Sequence, residues 1–267
     1  PIPQDNTDRN RTSPMAFTGN KFEFRMLGSS QSISGPNIAL NTIMAEELKQ
    51  FADELEKSKD FQSDLQKLIR RVFTEHQRII FNGNGYDDAW IQEATEKRGL
   101  LNYRTTPDCL PHLLDEKNVK MLTGQGVFTE AELKSRLEIS LENYCKTIVI
   151  EANTMVSMAR TEIAPAMEAY LTEIAKAAMT KKELDPTLPR TYETELIQKL
   201  STLTVQIAAR TDELEQAESM EQEAYAIRDS ILPKMCQLRL PCDEAETLTA
   251  RKYWPFPTYG DLLFGVN

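Results

Sequence analysis

The chain has 267 residues, of which 40% are hydrophobic, enough for a folded core. Its 31 basic and 41 acidic residues give a formal net charge of −10. This balance argues against nucleic acid and against a membrane surface as partners, because both are bound mainly through Lys and Arg. The four cysteines lack the paired spacing of a zinc site, so we expect reduced thiols. No signal peptide is visible, and a start at Pro1 without methionine suggests a fragment or a processed product.

The first element in the sequence is a predicted strand at residues 21–25. Polar and aromatic residues alternate there, which is the period-two pattern of a half-buried strand. Lys21, Glu23 and Arg25 are therefore expected on one face, with Phe22 and Phe24 on the other. A carboxylate between two cations stays ionised, so Glu23 could bind a divalent metal while its neighbours bind phosphate oxygens. On the alternation alone, a solvated strand face is the commoner explanation.

Apolar residues at helical spacing predict three helices after a Ser/Gly-rich loop closed by Pro36. These helices cover residues 36–57, 61–80 and 87–97. The Asn-Gly repeat at residues 82–85 separates the last two, because glycine and asparagine favour turns. Residues 102–128 are less regular, and Leu110–Leu114 is expected to begin a short helix.

A capping box marks the start of the first long helix. The oxygen of Thr129 and the carboxylate of Glu132 are spaced to satisfy free backbone donors at a helix start. Apolar spacing then continues to about Met179. We expect a bend at Pro165, because the ring removes one backbone hydrogen bond and crowds the preceding turn.

A second long helix is predicted over residues 196–231, ending near Pro233. The Pro-rich residues 185–189 connect it to the first. Two long amphipathic helices joined by a short loop should pack as an antiparallel hairpin.

The C-terminal residues 253–260 are aromatic and rich in proline, so they cannot form a helix throughout. An exposed aromatic tail would favour aggregation. We therefore expect this segment to dock in a groove, either of its own chain or of a neighbouring subunit.

Several reactive side chains have only structural roles in this interpretation. The only two histidines, His76 and His112, show no second histidine and no acid at ligand spacing. Cys145 lies beside the apolar side of its helix and is expected to be inert. Arg160 and Glu162 are expected on the surface of the hairpin.

Residues 10–14 read Asn-Arg-Thr-Ser-Pro, and residues 17–25 read Phe-Thr-Gly-Asn-Lys-Phe-Glu-Phe-Arg. Together they closely resemble the last active-site segment of glutamine synthetases, and specifically of the type III enzymes. Residues 151–155 and 254–261 look like signature stretches of the long helical C-terminal region of the type III enzymes. The resemblance therefore covers essentially the whole chain.

The resemblance implies a role for four residues of the N-terminal segment. Glu23 looks like the ligand of the metal that bridges to the nucleotide phosphates. Arg25 looks like the catalytic arginine that contacts glutamate and the transferred phosphoryl group, and Arg11 looks like a catalytic, phosphate-binding arginine that also contacts the nucleotide. Lys21 occupies the place of a nucleotide-side arginine in shorter members. Where those members have a second arginine this chain has Ala16, which is a departure from the pattern.

The function implied by the resemblance is ATP-dependent ligation of ammonia to glutamate through a glutamyl phosphate, with Mg²⁺ or Mn²⁺ as cofactor. The enzyme is expected to be a homo-oligomer of stacked rings, in the cytoplasm or in an organelle. Its other metal ligands and most nucleotide contacts would lie in an N-terminal portion, so this chain alone is expected to be inactive. The alternative is a non-catalytic helical module for interaction or assembly.

The predicted fold class is α+β, mostly α. Residues 1–128 are expected to form the C-terminal end of a glutamine synthetase catalytic domain, including its terminal strand or strands. Residues 129–267 are expected to form a helical C-terminal domain, with the long antiparallel hairpin and the aromatic tail.

Overall fold

The computed structural model describes residues 15–17, 22–24, 28, 31–81, 85, 87–220, 223–257 and 259–264. The chain divides into two compact units, residues 1–104 with 111–135 and residues 105–110 with 136–267. Most described residues lie in helices, which confirms the mostly helical fold. The division into residues 1–128 and 129–267 stays a prediction.

The first unit contains a short β-hairpin followed by helices. Strand β1 is Met15–Phe17 and strand β2 is Phe22–Phe24, and the two pair in an antiparallel two-stranded sheet. The α-helices of the chain up to residue 124 are α1 Ser34–Leu55, α2 Phe61–Glu75, α3 Asp88–Gln92, α4 Thr106–Cys109 (in the second unit) and α5 Glu116–Gly124. Shorter turns between them are the 3₁₀ turn Gln77–Ile79, the π-helical turn Glu93–Lys97 and the 3₁₀ helix Leu110–Leu114.

Helix α2 begins as the sequence predicts but ends five residues early, so its predicted extent to residue 80 is wrong. Asp60 caps its start by accepting a hydrogen bond from the backbone N–H of Ser63. Beyond Glu75 the chain tightens into the turn Gln77–Ile79. The guanidinium of Arg98 donates to the carbonyl of Ile80 over 2.8 Å, which satisfies an acceptor that a continued helix would have used internally.

The second unit is built from three long helical segments rather than from the predicted hairpin alone. The α-helices from residue 130 onward are α6 Glu130–Met158 (its first residues belong to the first unit), α7 Ala164–Leu184, α8 Thr191–Met220, α9 Ala224–Ala226, α10 Leu232–Leu248 and α11 Tyr259–Phe264. The capping box at the start of α6 is confirmed: the Glu132 carboxylate accepts from the Thr129 backbone N–H over 2.7 Å, and the Thr129 hydroxyl oxygen accepts from the Glu132 N–H over 3.3 Å.

The predicted antiparallel hairpin is present as α7 against α8. Two ion pairs fix its direction, since Arg160 pairs with Asp212 and Lys181 pairs with Glu193. Between the two pairs the residue number rises from 160 to 181 on one side and falls from 212 to 193 on the other, which only antiparallel helices allow. The hairpin lies in a larger bundle, because α10 also packs against α8.

The predicted second helix over residues 196–231 is wrong at its C-terminal end. Helix α8 ends at Met220, and Glu223 has an extended backbone before the next helix starts at Ala224. Ile227 and Ile231 belong to a third helical segment that continues past Pro233 to Leu248.

Two prolines of the long segments, Pro165 and Pro233, follow a π-helical turn, whereas Pro241 lies within α10 without one. The turn Ala159–Ile163 precedes Pro165, and the turn Ile227–Ile231 precedes Pro233. Proline lacks the N–H that would bond the carbonyl four residues earlier, and its ring crowds that carbonyl. A wider turn removes the conflict without ending the segment, so Pro233 does not act as the predicted stop.

A single apolar cluster holds the three segments of the second unit together. On α8 the buried positions recur every three or four residues once the buried Thr211 between Ile207 and Leu214 is included, as expected for a helix that lies between two others. The buried members of the cluster are Ala152, Val156, Ala159, Ile163, Met167, Tyr170, Leu196, Leu200, Leu203, Ile207, Leu214, Ala217, Ile227, Ile231, Leu238 and Ala245.

The aromatic C-terminal segment docks on its own chain, which decides between the two predicted possibilities. Tyr253, Trp254 and Phe256 pack against the apolar cluster of the second unit. The carboxylate of Glu173 accepts from the Lys252 ammonium over 2.8 and 2.9 Å and from the Tyr253 hydroxyl. These contacts attach the segment to α7.

Candidate functional site

The β-hairpin carries the predicted metal ligand. Glu23 is the central residue of β2, and its register partner in β1 is Ala16. The flanking pairs are Met15 with Phe24 and Phe17 with Phe22. The position at which shorter glutamine synthetases are expected to have a second arginine is therefore directly opposite the expected metal ligand.

The other predicted site residues lie outside the described part of the chain. Arg11, Lys21 and Arg25 are among these, and of Glu23 only the backbone is described. The arrangement of the two cations around the Glu23 carboxylate thus stays a prediction.

The donor atoms of this segment do not make a complete metal site. Glu23 would supply one carboxylate, whereas a phosphoryl-transfer site that neutralises phosphate charge with two or three metals needs several. In the ranges that the structure describes, no group of three or more His, Cys, Asp and Glu could hold a metal ion.

One connected cation among the described side chains is Arg228, in the π-helical turn before Pro233. Its guanidinium contacts both carboxylate oxygens of Asp229, at 2.7 and 2.8 Å, and reaches an oxygen of Asp108 over 2.7 Å. It also lies over the ring of Tyr225, whose hydroxyl donates to the carbonyl of Pro107 over 2.9 Å. The guanidinium lowers the pKa of Asp229, so this carboxylate stays ionised. One guanidinium contacts both carboxylates, so the cluster fastens residues 105–110 to the bundle.

Arg160 forms a second set of structural ion pairs, with two carboxylates of α8. Its guanidinium donates to the Glu215 carboxylate twice, over 2.8 Å each, and to Asp212 over 3.0 Å. This geometry lowers the pKa of Glu215. Arg160 is exposed, as predicted, but the sequence did not reveal its role in linking the π-helical turn to α8.

His112 corrects one expectation from the sequence, since it does pair with an acid. Its Nδ1 lies 3.0 Å from Oδ2 of Asp115, and its ring stacks on Tyr103 with 4.2 Å between centroids. The i,i+3 spacing of histidine and aspartate at the start of a helix was the signal that could have indicated this pair. Two such groups do not form a metal site.

Two of the four cysteines are kept protonated by burial. None of the four forms a disulfide in the structure. Burial raises the pKa of Cys242 to about 11 and also raises the pKa of Cys145, so both remain protonated near neutral pH. This agrees with the inert role predicted for Cys145.

Comparison with known proteins shows similarity to glutamine synthetases. Residues 64–182 match the family model described as the glutamine synthetase C-terminal domain. Over 99% of its length the chain is 36% identical to a type-3 glutamine synthetase of Dictyostelium discoideum and 35% identical to a glutamine synthetase of Butyrivibrio fibrisolvens. Over 97% of its length it is 33% identical to a glutamine synthetase of Bacteroides fragilis.

The chain is therefore similar to glutamine synthetases over nearly its whole length. Among these enzymes its similarity is to the C-terminal part of the type 3 enzymes, which confirms the resemblance seen in the sequence. The chain spans 38% of the length of the Dictyostelium relative and 39% of the length of the Butyrivibrio relative. In the described part of the chain, no helix has the length and apolar character needed to span a membrane.

Proposed function

We propose that this chain is the C-terminal part of an enzyme that ligates ammonia to glutamate at the expense of ATP, through a glutamyl phosphate. The observation that carries the proposal is similarity to three glutamine synthetases over 97 to 99% of the chain. The match includes the N-terminal segment with Glu23, beyond the helices to which the family model is restricted.

In this proposal the hairpin brings one metal ligand and several cations to a site completed by the rest of the polypeptide. Glu23 would bind Mg²⁺ or Mn²⁺, and the metal would supply charge neutralisation at the phosphates. Arg25 would contact glutamate and the transferred phosphoryl group, while Arg11 and Lys21 would contact the nucleotide phosphates. No arginine can stand opposite Glu23, because Ala16 is there. Phosphate charge at that point must be neutralised by another cation.

The remaining features of the proposed enzyme follow from the same resemblance. Residues 1–128 would be the C-terminal end of the catalytic domain, including β1 and β2 as terminal strands, and residues 129–267 would be a helical domain. The enzyme would be a homo-oligomer of stacked rings, located in the cytoplasm or in an organelle. Its substrates would be glutamate, ammonia and ATP.

The decisive experiment replaces Glu23 by Gln in the full-length enzyme. This change keeps the size of the side chain and removes its charge, so kcat should fall more than about 100-fold and the dissociation constant for Mn²⁺, measured by calorimetry, should rise at least about 10-fold. The matched control is Glu138→Gln, an exposed position of α6. Near-normal turnover with unchanged Mn²⁺ affinity would show that Glu23 is not a metal ligand.

The isolated 267-residue chain should have no synthetase activity, because one carboxylate cannot assemble the metal centre. Phosphate release that depends on both ATP and glutamate, catalysed by this chain alone, would contradict the proposal.

A second candidate function is a non-catalytic helical module for interaction or assembly. It is favoured by one observation: the family model matches only residues 64–182, which lie outside the Glu23 segment. An open reading frame that continues upstream into a catalytic domain would support the enzyme, and a start codon immediately before Pro1 would support the module.

A further inference from the structure

The first unit buries few apolar side chains for its size. Among its described side chains, the buried apolar residues are Leu68, Ala94, Leu122 and Leu133. Helix α1 is 22 residues long, and Thr42 is its only buried residue. A helix of this length normally buries an apolar stripe against a core. The described residues of the unit do not supply one.

Several of the exposed apolar side chains lie on α1, on α2 and in the turn after α2, and three of them line one groove. We define the α1–α2 apolar surface as Met44, Leu48, Phe73, Ile79 and Ile80, all of which are exposed. Met44 and Leu48 are four residues apart on α1 and therefore share a face, and Glu47 on the same side of α1 lines the groove. The groove has a volume of about 330 Å³, and its other lining residues are Val72, Phe73, His76, Ile79 and Ile80. Leu48 is 58% exposed and Phe73 61%.

We propose that the α1–α2 apolar surface is the docking site for the N-terminal part of a type 3 glutamine synthetase polypeptide. The inference rests on the proposed function, because it takes as occupant the part of such an enzyme that this chain does not contain. That part is the larger one, since the chain spans only 38% of the Dictyostelium relative. The occupant would present an apolar face with few charges, matching the composition of the surface.

The position of the surface in the chain favours this occupant over a second copy. The hairpin β1–β2 has strands of three residues each, and such a two-stranded sheet is marginal unless further strands or helices cover it. Helix α1 begins at Ser34, so only nine residues separate it from β2. Nine residues reach about 30 Å at most. Whatever body completes the sheet therefore lies within reach of α1 and can cover it.

The test compares cysteine labelling of this chain alone with labelling of the full-length enzyme. Leu48→Cys and Phe73→Cys are exposed substitutions that should not disturb folding, which circular dichroism will check. The control is Asp53→Cys. Asp53 is exposed, and it lies about 140° around α1 from Leu48 because each residue turns the helix by about 100°. Maleimide labelling is followed peptide by peptide with mass spectrometry, so the four natural cysteines do not interfere.

We expect Leu48→Cys and Phe73→Cys to be labelled at least about 10-fold more slowly in the full-length enzyme than in the chain alone, while Asp53→Cys changes little. Equal labelling of Leu48→Cys in both forms would overturn the proposal. So would protection in the isolated chain that grows with protein concentration, because the occupant would then be a second copy. Protection in a full-length protein without synthetase activity would support this surface and reject the proposed function.

Discussion

The apolar cluster of the second unit depends on α8, and Leu214 tests that dependence. Leu214 is completely buried, and α8 packs against both α7 and α10. Leu214→Ala removes three carbon atoms, which costs about 2.4 kcal/mol in transfer free energy alone. Helices on both sides limit the collapse of the site, so the residual cavity should raise the loss of unfolding free energy to about 3–5 kcal/mol.

Urea unfolding followed by Trp254 fluorescence measures this loss. Trp254 packs on the cluster, and Trp90, which lies in the first unit, is replaced by Phe in both proteins so that one reporter remains. With a slope of about 2 kcal/mol per molar urea, the midpoint should fall by about 1.5–2.5 M.

The control for this experiment is Val205→Ala on the same helix. Val205 is 70% exposed, so its unfolding free energy should change by less than about 0.5 kcal/mol. If Leu214→Ala lowered the midpoint no more than the control, the three-segment bundle around α8 would be wrong.

Two further predictions concern titration and thiol chemistry. Hydrogen bonds from Lys252, and to a smaller extent from Tyr253, lower the pKa of Glu173. The ionised carboxylate therefore stabilises the docked C-terminal segment. This stabilisation is fully present above the ordinary glutamate pKa of about 4.3, and it is lost as the pH falls through the lower pKa of the folded state. Trp254 fluorescence should therefore show an acid transition that Glu173→Gln removes, and an unchanged transition in that variant would assign it to another group. At pH 8, Cys242 should react with a maleimide at least about 10-fold more slowly than the exposed Cys236, because burial raises the pKa of Cys242 to about 11. Equal rates, measured by peptide mass spectrometry, would show that Cys242 is accessible and ionised.

The strongest predictions from the sequence were those with a local physical cause. The capping box at Thr129 and Glu132 fixed the start of α6 because it involves only neighbouring backbone donors. The N-terminal segment with Glu23 carried the resemblance to glutamine synthetases, because the match was long and residue-specific. Helix α1 starts two residues from the predicted position for a similar local reason, the proline in its first turn.

The predicted end of the second long helix failed for a reason that the sequence does not contain. Residues 218–223 have no glycine or proline, and the apolar spacing continues through Ile227 and Ile231. Nothing local marks the break after Met220. Near Pro233 the sequence predicted a helix end that the structure does not have, because a π-helical turn before this proline lets the helix continue.

The sequence by itself determined the helical periods, the caps, the similarity to glutamine synthetases and the residues proposed for its chemistry. Only the tertiary structure decided that α10 lies against α8 as a third segment, that Arg228 fastens residues 105–110 through Asp108, and that the aromatic segment docks on its own chain through Glu173. Periodicity records which face of a helix is apolar, because burial acts on each residue separately. It does not record which other face covers it, since apolar attraction has no direction and the choice of partner depends on the shape of the whole assembled core.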